Sequence, residues 1–127
     1  MQNTLQLPSR IHQIQLPEFT KAGVEVFVKR DDEIHPAISG NKWRKLSHNL
    51  QAISASGMKG FVTFGGAFSN HLAASAYAGF LAKLEMIAVV RGEEADLQNP
   101  TLAFVRQCGM QILLVSRSEY ARKSEPD

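Results

Sequence analysis

The sequence predicts an α/β fold, a parallel sheet with flanking helices, and three observations carry that expectation. Short apolar runs, "FVTF", "MIAVV" and "ILLV", recur along the chain, and strands buried in a parallel sheet have this near-continuous apolar character. Stretches with helical periodicity lie between them, so strands and helices alternate. Glycines and capping residues punctuate the boundaries, and alternation of this kind implies right-handed crossovers.

Each element has its own signal. A lead-in punctuated by Pro8 and Pro17 precedes "VEVFVKRDD". There Val24, Val26 and Val28 alternate with Glu25, Phe27 and Lys29, a strand pattern closed by an acidic pair. "EIHPAISGN" is a loop. From Lys42 the apolar residues Trp43, Leu46, Leu50 and Ile53 recur at helical steps until Gly57, which predicts a helix with a glycine cap. "GFVTFGG" predicts a strand interrupted by Gly65 and Gly66, and "SNHLAASAYAGFLAKL" a tightly packing helix with Ser69 and Asn70 at its start. "EMIAVVRG" is the next strand. "NPTLAFVRQCGM" opens with an asparagine cap and a proline in the first turn and stops at Gly109, and "QILLVS" is the last strand. "SRSEYARKSEPD" then starts a helix that breaks off in charged residues, which leads us to expect a chain incomplete at its C-terminus.

Composition excludes several function classes. With 127 residues, 44% hydrophobic and 20% charged, the chain has the balance of one ordinary globular domain. A net charge of +2, with acids and bases interspersed, gives no reason to expect a nucleic-acid or membrane partner. The single Cys108 forms no intrachain disulfide and reads as a core residue beside Phe104 and Val105. "MQNTLQLPSR" has neither a signal-peptide pattern nor a long apolar run, so a cytoplasmic location is the expectation. His12, His35, His48 and His71 show neither metal-ligand spacing nor cysteine companions, and no metal is expected. Asp31 and Asp32 close a strand and read as turn formers.

Two stretches carry candidate chemistry. In open parallel sheets, ligands bind beyond the carboxyl ends of strands, where glycine turns lead into helix N-termini. "TFGGAFSNHLAA" is such a place: Gly65 and Gly66 are expected to let the backbone turn tightly and approach a ligand. Ser69 and Asn70 cap the helix or point outward, and the free amides there suit a carboxylate or phosphate. The plain alternative is an ordinary strand-to-helix connection. The stretch does not match the phosphate loop, the dinucleotide fingerprint or the hydrolase elbow.

The second stretch is "SGNKWRKL", from Ser39 to Leu46. Lys42 at a helix start lies at the positive end of the macrodipole, with Arg44 and Lys45 close behind. That setting disfavours the ammonium form, and a partly neutral lysine is what Schiff-base chemistry requires. Lys45, one turn on, shares its face and is placed to meet an anionic group. The plain alternative is a solvated basic helix.

Together these pieces resemble the pyridoxal-phosphate enzymes of the 1-aminocyclopropane-1-carboxylate deaminase and D-cysteine desulfhydrase family, which have the tryptophan-synthase-β-like fold. "VKRDD" precedes the loop, "SGNKWRKL" is similar to the family's G-N-K-x-R-K-L cofactor-lysine motif, and "GGAFSNH" to its G-G-x-x-S-N-[QH] motif. The likeness runs from Val24 to Val115. It implies that Lys42 forms the internal aldimine with pyridoxal 5'-phosphate and shuttles protons once its amine is freed. It further implies that Lys45 touches the phosphate, Asn70 bonds the ring hydroxyl, the Ser69-Asn70-His71 start holds the substrate carboxylate, and Ser69 faces the reacting substrate.

His71, where deaminases resemble Ser-Asn-Gln, tilts the comparison toward desulfhydrase-like members. Phe68 stands where a glutamine often precedes the serine, and "LAAS" lacks the arginine that commonly follows. Family enzymes are more than twice this length. The expectation is therefore an N-terminal portion, with residues 1–41 as a segment holding one strand and the cofactor-lysine loop, and 42–127 as most of a small α/β domain. The resemblance implies a small amino acid as substrate and a homodimer for the full-length protein, with the 127-residue chain inactive alone. Two alternatives stand beside it: a non-catalytic α/β domain that binds an anion or a protein partner, and a β-replacement enzyme of the cysteine-synthase type.

Overall fold

A computed structural model of the chain describes residues 5–38 and 40–124. Ser39, in the predicted "EIHPAISGN" loop, and the last three residues of the C-terminal segment lie outside them.

The N-terminal part holds two short strands, β1 (Ile11–Ile14) and β2 (Val26–Lys29), paired antiparallel with Ile11 opposite Lys29 and Ile14 opposite Val26. Between them runs α1 (Pro17–Ala22), with proline at its first position and Gly23 as a left-handed cap at φ 65°. The alternation in "VEVFVKRDD" anticipates β2, although the strand starts at Val26. β1 and α1 lie in the lead-in, where the sequence signals no element, so this part has two strands rather than one. Each is too short to show a period, and β1 is held by its pairing with β2. The acidic pair forms a single 3-10 turn, Asp31–Glu33.

After the loop, α2 (Asn41–Ser56) ends at Gly57, which adopts φ 70° as the predicted cap. Then β3 (Gly60–Gly66), α3 (Asn70–Leu81), β4 (Glu85–Arg91), α4 (Pro100–Gln107) and β5 (Gln111–Val115) alternate as expected. The sheet has the order β3-β4-β5 with both pairs parallel, Val62 opposite Ile87 and Val89 opposite Leu113. α5 (Arg117–Ala121) closes the described chain with a full capping box between Ser116 and Glu119.

One face of the sheet is the core. Met86, Ala88 and Val90 pack with Leu72 and Ala76 of α3 and Leu102 and Val105 of α4, all buried. The small side chains of "LAASAYAG" let α3 lie close to the strands. The other face differs from the expectation of strands covered on both sides: Val62, Phe64, Ile87 and Leu113 remain exposed. Of the helices, α5 reaches it, with Tyr120 edge-on to Phe64 at a ring distance of 6.2 Å.

Candidate functional site

The carboxyl end of β3 leads into α3 through Gly66, Ala67 and Phe68. Ser69 caps the helix, its hydroxyl oxygen accepting the Leu72 N–H at 3.4 Å. Asn70 is the first helical residue, and its exposed side chain leaves the cap to face a cleft. Across that cleft, α2 begins at Gly40, whose φ of 63° and ψ of −145° suit only glycine. Asn41 and Lys42 follow, and the Lys42 Nζ donates to the Asn41 Oδ1 at 3.0 Å.

The cleft between these two helix starts has a volume of about 680 Å3. Lys42, Asn41 and Asn70 supply its polar groups, and Ala73, Ala74, Tyr77 and Phe104 its apolar wall. His35 completes it. That ring is buried 4.9 Å from the ring of Tyr77, and its Nδ1 accepts the Ala37 N–H at 3.0 Å.

The structure thus brings Lys42 and Asn70 to one cleft and makes Ser69 the cap of the helix that carries Asn70. Lys45 is exposed one turn along α2, outside the cleft lining. His71 turns its ring the other way, into a smaller cavity of about 310 Å3 between α2, β3 and α3. There its Nε2 lies 2.9 Å from the Thr63 hydroxyl oxygen and 3.4 Å from that of Ser75. Burial first, then the charges of Lys42 and Lys45, push the imidazole below its usual 6.5, which favours the neutral ring.

Two expectations need correction. Arg44 was expected to add positive charge beside Lys42, but its guanidinium is forked onto Asp31, with Nε 2.7 Å from Oδ2 and Nη2 3.0 Å from Oδ1. Arg44, then Lys29 and Ser9, hold the Asp31 carboxyl far below the usual carboxylate range. Gly65 and Gly66 were expected to supply a turn with special freedom, yet neither has a positive φ. Gly65 is part of β3, and its lack of a side chain makes room for Leu72.

Sequence reasoning also missed lining residues. His35 and Tyr77 carry no local spacing signal and meet only because the loop folds back over α3. The adjacency of His35 to the lysine stretch in "IHPAISGNK" was the one available hint. Among the described residues no three His, Cys, Asp or Glu side chains converge for a metal, and no helix is long and apolar enough to cross a membrane.

A primary amine, two side-chain amides and the start of α3 around one partly apolar cleft fit an anionic aromatic aldehyde: the amine for the carbonyl, the wall for the ring, the amides for negative charge. Parallel sheet, helix-borne lysine and a second helix start facing it across one cleft define an α/β ligand-binding fold with its cleft beyond the carboxyl end of a strand. Known proteins narrow the class. Over 105 residues the chain is 37% identical to a Thermotoga maritima protein named for 1-aminocyclopropane-1-carboxylate deaminase, an overlap of 83% of this chain and 33% of that one. It is 33% identical over 121 residues to the mitochondrial bifunctional D-cysteine desulfhydrase/1-aminocyclopropane-1-carboxylate deaminase of Arabidopsis thaliana, covering 91% and 30% of the two chains.

The crystal structure of a 1-aminocyclopropane-1-carboxylate deaminase homologue superposes with a TM-score of 0.71 at 28% identity, over 89% of this chain and 34% of the other. A hydrogen sulfide-producing enzyme of Fusobacterium nucleatum shares the fold, with a TM-score of 0.66 at 15% identity over 90% and 36% of the two chains. No family profile matches the chain. The chain belongs to the 1-aminocyclopropane-1-carboxylate deaminase and D-cysteine desulfhydrase family, whose members depend on pyridoxal phosphate. It spans about a third of the length of these relatives.

Proposed function

We propose that this chain supplies the lysine and the anion-binding side of a pyridoxal-phosphate site that acts, in a full-length family enzyme, as a lyase or deaminase on a small amino acid. The observation that carries the reading is that Lys42 and Asn70, from two separate motifs, line the same cleft. Lys42 Nζ would hold the cofactor, Asn70 would bond its ring hydroxyl, and Lys45, exposed one turn along α2, would reach toward its phosphate. The cofactor, when bound, supplies an electron sink for negative charge at the substrate α-carbon.

The chain's own groups do the rest. The amides at the start of α3, aligned by the Ser69 cap, bind the substrate carboxylate where the helix dipole favours an anion. His71 contributes its backbone N–H there, since its ring is committed to Thr63 and Ser75. The Lys42 amine would move a proton at the substrate, and Ser69 would face the reacting substrate. Ala73, Ala74, Tyr77 and Phe104 exclude water from one side of the cleft.

In this reading residues 1–41 carry the lead-in and the lysine loop, and 42–127 the small domain, within an enzyme that is homodimeric at full length. The uncovered sheet face favours a second reading, a domain that binds an anion or a protein partner without catalysis. One experiment separates them. The chain is incubated with pyridoxal phosphate, reduced with borohydride and mapped by mass spectrometry. The expected result is a phosphopyridoxyl group on Lys42 well above the label on exposed lysines such as Lys83, with Lys42→Ala lowering the total label accordingly; no preference for Lys42 over those lysines sinks the reading.

A further inference from the structure

We propose that Asp31 is the positioning residue for Lys42, gripping the chain on both sides of it; this rests on the role proposed for Lys42 above. On the N-terminal side, the Asp31 carbonyl accepts the Gly40 N–H at 2.8 Å. On the C-terminal side, the Asp31 carboxylate takes the two-pronged Arg44 guanidinium at 2.7 and 3.0 Å. Lys42 lies between the two held residues. The carboxylate is itself fixed by the Ser9 hydroxyl, which donates at 2.6 Å, and by an ion pair with Lys29 of β2.

The helix start needs such a grip because its local supports are missing. Gly40, at the N-cap, makes no side-chain cap bond, and the first turn of α2 carries no acid to offset the positive end of the macrodipole. Gly40 is also the most permissive residue for backbone motion. Asp31 supplies from a distance what the turn lacks, a hydrogen-bond anchor before Lys42 and a negative charge just after it. The sheet pair β1–β2 thereby sets where α2 begins, and so where the Lys42 amine stands relative to Asn70.

A network that merely stabilised the fold would change stability and leave Lys42 where it is. The test therefore reads the lysine. Full chain is incubated with pyridoxal phosphate and reduced, and label at Lys42 is compared with label at Lys83, which is exposed and outside the cleft lining. Asp31→Asn keeps the carbonyl but not the charge, and is expected to cut the Lys42-to-Lys83 ratio about tenfold, within the roughly hundredfold loss that a misplacement of about 1 Å can cause. Arg44→Lys keeps the charge but loses the fork, and gives a smaller loss. Asp31→Glu, which can still pair, restores part of the ratio.

If the wild-type chain labels Lys42 selectively and both Asp31→Asn and Arg44→Lys do so equally well, the proposal is overturned. If Asp31→Asn does not fold, Arg44→Lys decides by the same criterion. Should wild type show no preference for Lys42, the proposed function fails on its own account, and amide exchange without cofactor judges the grip. Faster exchange at Gly40, Asn41 and Lys42 in the variants, with β4 unchanged, supports it; unchanged exchange at those amides overturns it.

Discussion

The His71 imidazole sits between Thr63 of β3 and Ser75 of α3, and burial, then the two lysines on α2, lower its proton affinity. A histidine whose folded value is depressed binds protons better when unfolded, so stability rises with pH across that range. Its contribution is present above the usual 6.5 and is lost as pH falls below it. Asp31, the strongly depressed carboxylate, acts in a separate window below its usual 3.8. Melting followed from pH 8 to pH 5 is therefore expected to show a fall in stability for the wild type that is flattened in His71→Gln, whose amide is a hydrogen-bonding group that does not titrate. Parallel profiles for the two proteins would refute the assignment. At this scale the sequence shows which residues carry chemistry but not where their side chains point. Lys42 and Asn70 were legible because each belongs to a short motif at a helix start. The direction of the His71 ring, the capture of Arg44 by Asp31 and the arrival of His35 at the cleft depend on contacts between segments far apart in the chain.

α3 reaches the sheet at Gly65, where an added Cβ would lie 2.6 Å from Leu72 Cγ and 3.0 Å from each of its methyl carbons. Leu72 is fully buried against β4 and α4 and has no open space to move into. Gly65→Ala is accordingly expected to cost about 1–3 kcal/mol, the usual penalty of overpacking. Gly66, where the added Cβ meets nothing, should tolerate alanine within about 0.5 kcal/mol. Denaturant titration of the two variants measures the difference, and similar midpoints would contradict the packing role. Because Leu72 lies in the first turn of α3, the same strain moves Asn70, so Gly65→Ala should also lower cofactor labelling at Lys42. Elements of this kind were readable from their ends. Asn99 caps α4 by accepting the Thr101 and Leu102 N–H groups at 3.0 Å each, with Pro100 behind it, as the "NPT" start suggests. β1 and α1 have only four and six residues, too few for a period, and exist because the chain doubles back on β2.

Across the whole molecule the sheet has unequal faces, although its strands are apolar on both. Parallel strands are ordinarily covered on each side, and here α3 and α4 cover one, while Tyr120 of α5, flanked by Arg91 at 5.8 Å from its ring, reaches over the end of the other. Leu102 on the covered side is 0% exposed and Leu113 on the open side 55%. The same change at the two leucines should then have opposite weight. Leu102→Ala is expected to cost about 2–5 kcal/mol through lost burial and the cavity left behind. Leu113→Ala should cost less than about 0.5 kcal/mol, since its side chain already meets water. A hydrophobic dye should bind the open face of the isolated chain, with Leu113→Gln weakening its fluorescence and leaving the unfolding midpoint in place. Equal losses of stability at Leu102 and Leu113, growing with protein concentration, would instead mean that a second molecule covers this face in solution.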